Sequence, residues 1–122
     1  MPGINWIPIK PATNGALYAA IVQIMMRDKT YNADVLSFPQ QKAAEAAGYG
    51  AFTNAAYLVI VDENHPNYRK LMRAADAGID APEEKDKDGK AVEQYVVIDA
   101  ATGQPALHSA CSKGTLEFEG EV

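Results

Sequence analysis

The chain has 122 residues and a single cysteine, Cys111, which excludes a disulfide framework and any metal cage built from cysteines alone. Histidine is almost as scarce, and His65 and His108 lie far apart in the sequence. Basic residues are outnumbered, 11 Lys and Arg against 16 Asp and Glu, for a formal charge of −5. That balance argues against a nucleic-acid groove or an anionic membrane surface as partner. No apolar run approaches the roughly 20 residues of a membrane span. The opening "MPGINW" lacks the basic start and long apolar core of a signal peptide. There is no repeat, no low-complexity segment, no Walker lysine pattern and no GxGxxG.

What is present is enough apolar material, 48% of residues, for one core. The first half reads as helical. Ile4 to Ile9 alternates weakly as a short strand, with Pro8 at an edge or end because it has no N–H for a ladder. Thr13 and Asn14 are good N-cap residues for a helix over about 14–28. Its apolar residues, from Ala16 and Leu17 to Met25 and Met26, cover most of the circumference, which predicts burial on several sides. Such a helix in so small a domain calls for more protein around it, so self-association through this surface is expected. Tyr31 to Leu36 reads as a connector. Ser37 as cap and Pro39 in a first turn open a second helix over 38–47, weakly amphipathic, which Gly48 stops.

The second half reads as a meander. Tyr57 to Val61 is a β-branched run and predicts a buried strand. Asp62 to Asn67 is dense in turn formers. "YRKLMRAA", Tyr68 to Ala75, fits either a helix with Pro66 near its start or the return strand of a hairpin. A charged surface loop spans 80–91. Tyr95 to Asp99 is a second strand, Gly103 sits at a φ > 0 turn position, Pro105 to His108 returns, and Thr115 to Phe118 alternates as a last strand. The fold class expected is α+β: two helices beside a small, mostly antiparallel sheet, with segments 1–52 and 53–122 of different character.

Candidate chemistry outside the opening stretch is thin. Asp62, Glu63 and His65 could begin a metal site, but no third ligand has a defined spacing, and a hydrated hairpin tip explains them. His108 and Cys111 could supply half a zinc site, and His108 is the only base near enough in sequence to activate the thiol. Ser37 and Ser109 have no nucleophile-elbow context. The mixed-sign run Glu83 to Lys90 reads as a solvated loop. No catalytic residue and no metal ligand is assigned. The stretch "WIPIKPATNGAL", Trp6 to Leu17, is different. A strand runs through Pro11, a small Ala12 and the short polar Thr13 and Asn14 to the positive end of a helix. Plain helix capping and ligand binding both fit those residues.

That stretch resembles the W-[IV]-P-[IL]-[RK]-P-G-T-D-x-A-[LF] segment of the molybdopterin oxidoreductases, the dimethyl sulfoxide reductase superfamily. "YNADVLS", "FTNAAYLVIVDENHPNYRKLMRAADAG", "YVVIDAATGQPALHS" and "GTLEFEGEV" resemble, in order, the segments that follow it, and the set is most similar to catalytic subunits of the tetrathionate, thiosulfate and polysulfide reductase type. The resemblance covers nearly the whole chain, and it implies that "YRKLMRAA" is the extended hairpin return of Tyr57 to Val61, with the tip supplied by Asn64 to Asn67. It implies a piece of a longer enzyme: residues 1–52 from a Rossmann-like cofactor domain, residues 53–122 from a β-rich outer segment. It also implies two molybdopterin guanine dinucleotides around molybdenum or tungsten and a 4Fe–4S cluster, with the cluster cysteines and the metal ligand outside this stretch. A membrane anchor, an iron–sulfur electron-transfer subunit and a periplasmic or otherwise extracytoplasmic location follow from the same resemblance, as does reduction of a sulfur oxyanion or a related anaerobic acceptor. The chain alone is then expected to hold no cofactor and to have no turnover. By resemblance, Pro11, Ala12, Thr13 and Asn14 form the turn that meets the guanine. Ala12 stands where the family has glycine, and Asn14 where it has aspartate. A carboxylate pairs with two guanine donors, whereas an amide offers one acceptor and one donor group. The competing function class is a stand-alone binding or interaction module that uses only the strand, turn and helix. A reading frame that continues on both sides would favour the enzyme, and stop codons at both ends would favour the module.

Overall fold

The computed structural model describes residues 7–122, which divide after Asn32 into two compact units, 7–32 and 33–122. The first half of the expected strand Ile4 to Ile9 lies outside the described residues, and residues 7–10 carry no regular structure.

In the first unit, helix α1 spans Asn14–Arg27, as the sequence suggests. It ends without glycine. The Thr30 N–H bonds the Met25 carbonyl at 3.0 Å, and Lys29 takes the left-handed conformation at φ 52 that usually falls to glycine at this place. No residue of α1 is buried, which agrees with the expectation that this helix calls for more protein than the chain supplies. Tyr18, Val22 and Met26, four residues apart on one face, are 66%, 54% and 57% exposed. An apolar circumference records what a helix can bury, and a unit of this size supplies too little surface to cover it.

The second unit holds the core. Helix α2 spans Ala33–Ser37 and α3 spans Gln41–Ala46. The expected helix over 38–47 is therefore corrected at its start. Pro39 pushes its predecessor out of the helical region, and Gln40 is itself extended at φ −150, ψ 156. Ser37 ends α2 rather than capping α3, its hydroxyl donating back to the Asp34 carbonyl at 2.8 Å. The stop at Gly48 holds. With Gly48 at φ 84, its N–H bonds the Glu45 carbonyl at 3.0 Å and the Tyr49 N–H bonds the Ala44 carbonyl at 2.9 Å, a paired closure that satisfies two orphan carbonyls.

From the end of α2 to the start of α3, residues 36–40 fasten four distant segments. The Leu36 carbonyl accepts from the Thr53 hydroxyl at 3.1 Å, and the Ser37 carbonyl from the Gly114 N–H at 2.8 Å. The Phe38 carbonyl accepts from the Thr53 N–H at 3.2 Å, and the Pro39 carbonyl from the Tyr57 hydroxyl at 2.9 Å. The Gln40 side chain donates to the carbonyls of Ser109 and Cys111. Ser37, Phe38 and Pro39 are all buried, so these bonds satisfy backbone groups that water does not reach.

Strands β1, Val96–Ile98, and β2, Pro105–Leu107, pair antiparallel through a turn with Gly103 at φ 70, as expected. "YRKLMRAA" meets the expected hairpin return only at Leu71 to Arg73, where Leu71 pairs with Val59 and Arg73 with Tyr95; Tyr68 to Lys70 and Ala74 to Ala75 lie in turns and bends. Tyr57 in turn pairs with Val97. Three segments thus pair with one another in a triangle. The Leu58 N–H bonds the Val96 carbonyl, the Val96 N–H bonds Met72, and the Met72 N–H bonds Leu58, at 3.0, 3.1 and 2.8 Å. Each segment changes partner after one pair, so no long ladder forms. The triangle closes on a core of Ile60, Ala74, Val96, Val97 and Ile98, with Phe38, Ala44, Ala56 and Cys111 around it.

Two strand expectations are corrected. The run Tyr57–Val61 is not a buried strand: only Ile60 is buried, while Val59 and Val61 are 48% and 78% exposed. Thr115–Phe118 makes no strand, although the Thr115 N–H bonds the Ile98 carbonyl at 2.8 Å. The charged loop folds into a tight hairpin at Asp86 to Lys90, in which the Asp86 carboxylate accepts from the N–H groups of Asp88 and Lys90. The architecture is α+β with three helices and one two-stranded antiparallel sheet among the described residues.

Candidate functional site

The turn before α1 is built by Lys10, Pro11, Ala12 and Thr13. The Thr13 N–H bonds the Lys10 carbonyl at 3.2 Å, which closes a four-residue turn with Pro11 in its second position and Ala12 in its third. Ala12 has φ 64. Proline followed by a positive-φ residue is the type II pattern, in which the third position normally falls to glycine. The methyl of Ala12 therefore sits in a conformation that costs an L-residue roughly 1–2 kcal/mol. Ala12→Gly is expected to stabilise this turn by about 1 kcal/mol. The check is the amide exchange of residues 13–17, which should slow in the variant.

Thr13 stands at the N-cap but makes no side-chain cap hydrogen bond. Its hydroxyl turns back to the Lys10 carbonyl instead. The first bond of the helix is the Leu17 N–H to the Thr13 carbonyl at 3.1 Å. The N–H groups of Asn14, Gly15 and Ala16 have no backbone partner among the described residues, no acidic residue occupies the first turn, and Asn14 is exposed. The turn thus presents three donors at the positive end of a dipole, with an amide side chain beside them.

The other candidates are occupied by structure. Asp62 accepts from the Asn64 N–H at 2.9 Å and His65 Nδ1 from the Asn67 N–H at 3.0 Å, so both shape the hairpin tip. Asp76, which sequence reasoning passed over, accepts from the Arg73 N–H and from Asn67 Nδ2 at 3.0 and 2.9 Å. The Arg73 N–H above all holds its carboxyl below the usual range. Among the described residues no group of three His, Cys, Asp or Glu is placed to hold a metal ion. No helix among them is long and apolar enough to cross a membrane.

His108 and Cys111 are likewise absorbed. His108 packs its ring 5.2 Å from Tyr57 and 6.0 Å from Tyr95, and its Nδ1 accepts from the Tyr95 N–H at 3.1 Å. Burial pushes the imidazole below its ordinary 6.5. Cys111 is buried, and burial first and the charge of Asp99 second push its thiol up, the opposite of what a nucleophile needs. The unfolded chain takes up the His108 proton more readily than the folded one. Stability present above about pH 6.5 is therefore lost as pH falls below that value. Melting followed from about pH 7.5 to 5 should show this loss. His108→Asn, which keeps an acceptor but does not titrate, should flatten the slope.

Three named relatives share sequence with the chain. It is 34% identical over 76 residues to a tetrathionate reductase subunit of Archaeoglobus fulgidus, a match over 62% of the chain and 6% of that protein. It is 39% identical over 62 residues to a tetrathionate reductase subunit of Salmonella typhimurium, over 51% of the chain and 6% of that protein. It is 26% identical over 118 residues to a selenate reductase subunit of Mesobacillus selenatarsenatis, over 97% of the chain and 10% of that protein. The matched stretches thus make up 6 to 10% of the relatives' lengths. No family model matches, and neither does any solved structure. These relatives bear out the resemblance in the sequence: the chain is similar to molybdopterin oxidoreductases of the tetrathionate and selenate reductase kind.

Proposed function

We propose that this chain is part of the catalytic subunit of a molybdenum or tungsten oxidoreductase that reduces a sulfur or selenium oxyanion, and that its turn Pro11 to Asn14 meets the guanine of a molybdopterin guanine dinucleotide. One observation carries the reading of the turn. Ala12 holds the left-handed backbone of a glycine position, and it does so where the resemblance puts the family's glycine. The residues fit the group in part. The three free N–H groups suit the acceptors on a guanine edge, and the Asn14 carbonyl can take one of its donors. The bound cofactor would supply the metal and the electrons. The chain's own part is to position the nucleotide end, and no residue here is assigned to the chemistry. The rest of the catalytic subunit would cover α1. A 4Fe–4S cluster, a membrane anchor, an electron-transfer subunit and an extracytoplasmic location belong to the same reading.

Asn14→Asp tests it in the longer enzyme. A charged acceptor contributes roughly 1.5–3 kcal/mol against about 1 for a neutral one, so the variant should retain at least as much guanine dinucleotide as the parent. Mass spectrometry after gel filtration measures the content. A clear loss would show that the asparagine has its own partner and that the assignment to guanine fails.

A further inference from the structure

The segment Leu58 to Val61 has one bonded edge and one open edge. Leu58 and Ile60 turn their N–H groups inward, to the carbonyls of Val96 and Lys70, both at 3.0 Å. Their carbonyls accept from the N–H groups of Met72 and Arg69, both at 2.8 Å. The N–H and C=O of Val59 and of Val61 point the other way and have no backbone partner among the described residues. This is an unpaired strand edge flanked by exposed valines, and it carries no lysine or proline to blunt it. The edge borders an open cleft of about 990 Å³, whose far wall is the irregular segment 115–122. Asp62, Asp76, Glu119 and Glu121 line that cleft, and no lysine or arginine does. Phe118 and Val122 add exposed apolar surface to it.

We propose that this edge is a docking site for an extended segment of another polypeptide that alternates basic and apolar residues. Backbone bonds to Val59 and Val61 would fix the added strand and its register. Because side chains alternate along a strand, one face would lay apolar residues on the valines and Phe118 while the next residues carried lysine or arginine to the four carboxylates. The inference is independent of the cofactor reading, since it uses no residue of the turn before α1.

The test uses the 122-residue chain and two synthetic seven-residue peptides, one alternating lysine with valine and one alternating glutamate with valine. With the lysine peptide in excess, amide exchange at Val59 and Val61 should slow at least about tenfold, and the glutamate peptide should change nothing. Val61→Pro removes an N–H that has no backbone partner among the described residues, so the variant should bind about tenfold more weakly, as expected for a lost backbone bond or two. The double variant Glu119→Lys, Glu121→Lys should also weaken binding. A lysine peptide with N-methylated backbone amides should fail against the parent chain, a check that does not depend on the folding of any variant. Equal binding of the two peptides, or undiminished binding of the N-methylated one, would overturn the proposal and leave the carboxylates as a guard against edge pairing. Protection of both amides in the chain alone would also overturn it, because a second copy would then hold the edge.

Discussion

Gly114→Ala is expected to destabilise the second unit by about 1–3 kcal/mol, the usual cost of forcing one more carbon into a packed core. A methyl built on Gly114 would stand 2.6 Å from Ala56 Cβ, 3.6 Å from Val97 Cβ and 3.8 Å from the Ser37 carbonyl oxygen. Carbon atoms in contact prefer about 3.5–4.0 Å, so the first of these distances must open by about 1 Å. Neither side can give way cheaply. Ala56 is buried, and its Cβ moves only with its backbone. Gly114 is tied by its N–H to Ser37 and is paired with Asp99, while Thr115 is bonded to Ile98. Its place is therefore a close approach of two backbones, and glycine is needed for space rather than for a special φ. Ala56→Gly in the same chain removes the facing carbon and should restore most of the loss. Urea unfolding of the parent, both single variants and the double variant gives the coupling directly. A Gly114→Ala chain as stable as the parent would show that the approach is looser than 2.6 Å.

That pair of residues also marks where sequence reading stops. Elements set by neighbours in the chain were legible: α1, the return strand Pro105–Leu107 with Gly103 at its turn, and the stop at Gly48. The extended Leu71 to Arg73 ran against propensity and was legible only through the resemblance, since the residues of "YRKLMRAA" left helix and hairpin return both open. What the sequence did not disclose depends on partners far along the chain. The run Tyr57–Val61 has the composition of a buried strand, yet the triangle leaves one of its edges and two of its valines outside. Composition records what a segment can bury, and pairing decides what it does bury. Helix α2 has five residues, too few for any period to show. Ser37 and Pro39 look like a helix start, but Phe38 and Pro39 are buried as the clamp of the core. The candidate turn was legible in part. Its residues and the helix behind it stand where expected, and Ala12 has the backbone that a glycine at that position would take. The failure of Thr13 to cap was not legible, because its hydroxyl has two acceptable partners and only the folded turn chooses between them.

The clamp itself yields the second large effect. Gln40 Nε2 donates to the Ser109 carbonyl at 2.7 Å and to the Cys111 carbonyl at 3.0 Å, contacts that span 69 and 71 residues. These bonds pin the chain between β2 and Gly114 to the start of α3, and Cys111 beside them is buried. Gln40→Ala leaves both carbonyls without their donor, which costs about 1–3 kcal/mol where water cannot fully replace it. A residue of the same shape discriminates between bonding and packing. Gln40→Glu keeps the volume but turns the donor into an acceptor facing two carbonyl oxygens. At neutral pH it should therefore be less stable than the alanine variant, even though it fills the space that alanine empties. Protonation gives the carboxyl one O–H to donate, so the glutamate variant should recover relative to the alanine variant as pH falls toward about 4. The loosened segment should report the change through Cys111. In the parent, burial holds this thiol protonated and covered, so a thiol reagent should modify it no faster than the chain opens. In both variants modification should be faster than in the parent, and fastest in Gln40→Glu at neutral pH. A glutamate variant as stable as the parent at about pH 7, with Cys111 equally protected, would mean that the side chain of residue 40 holds the segment by packing and that its two hydrogen bonds contribute little.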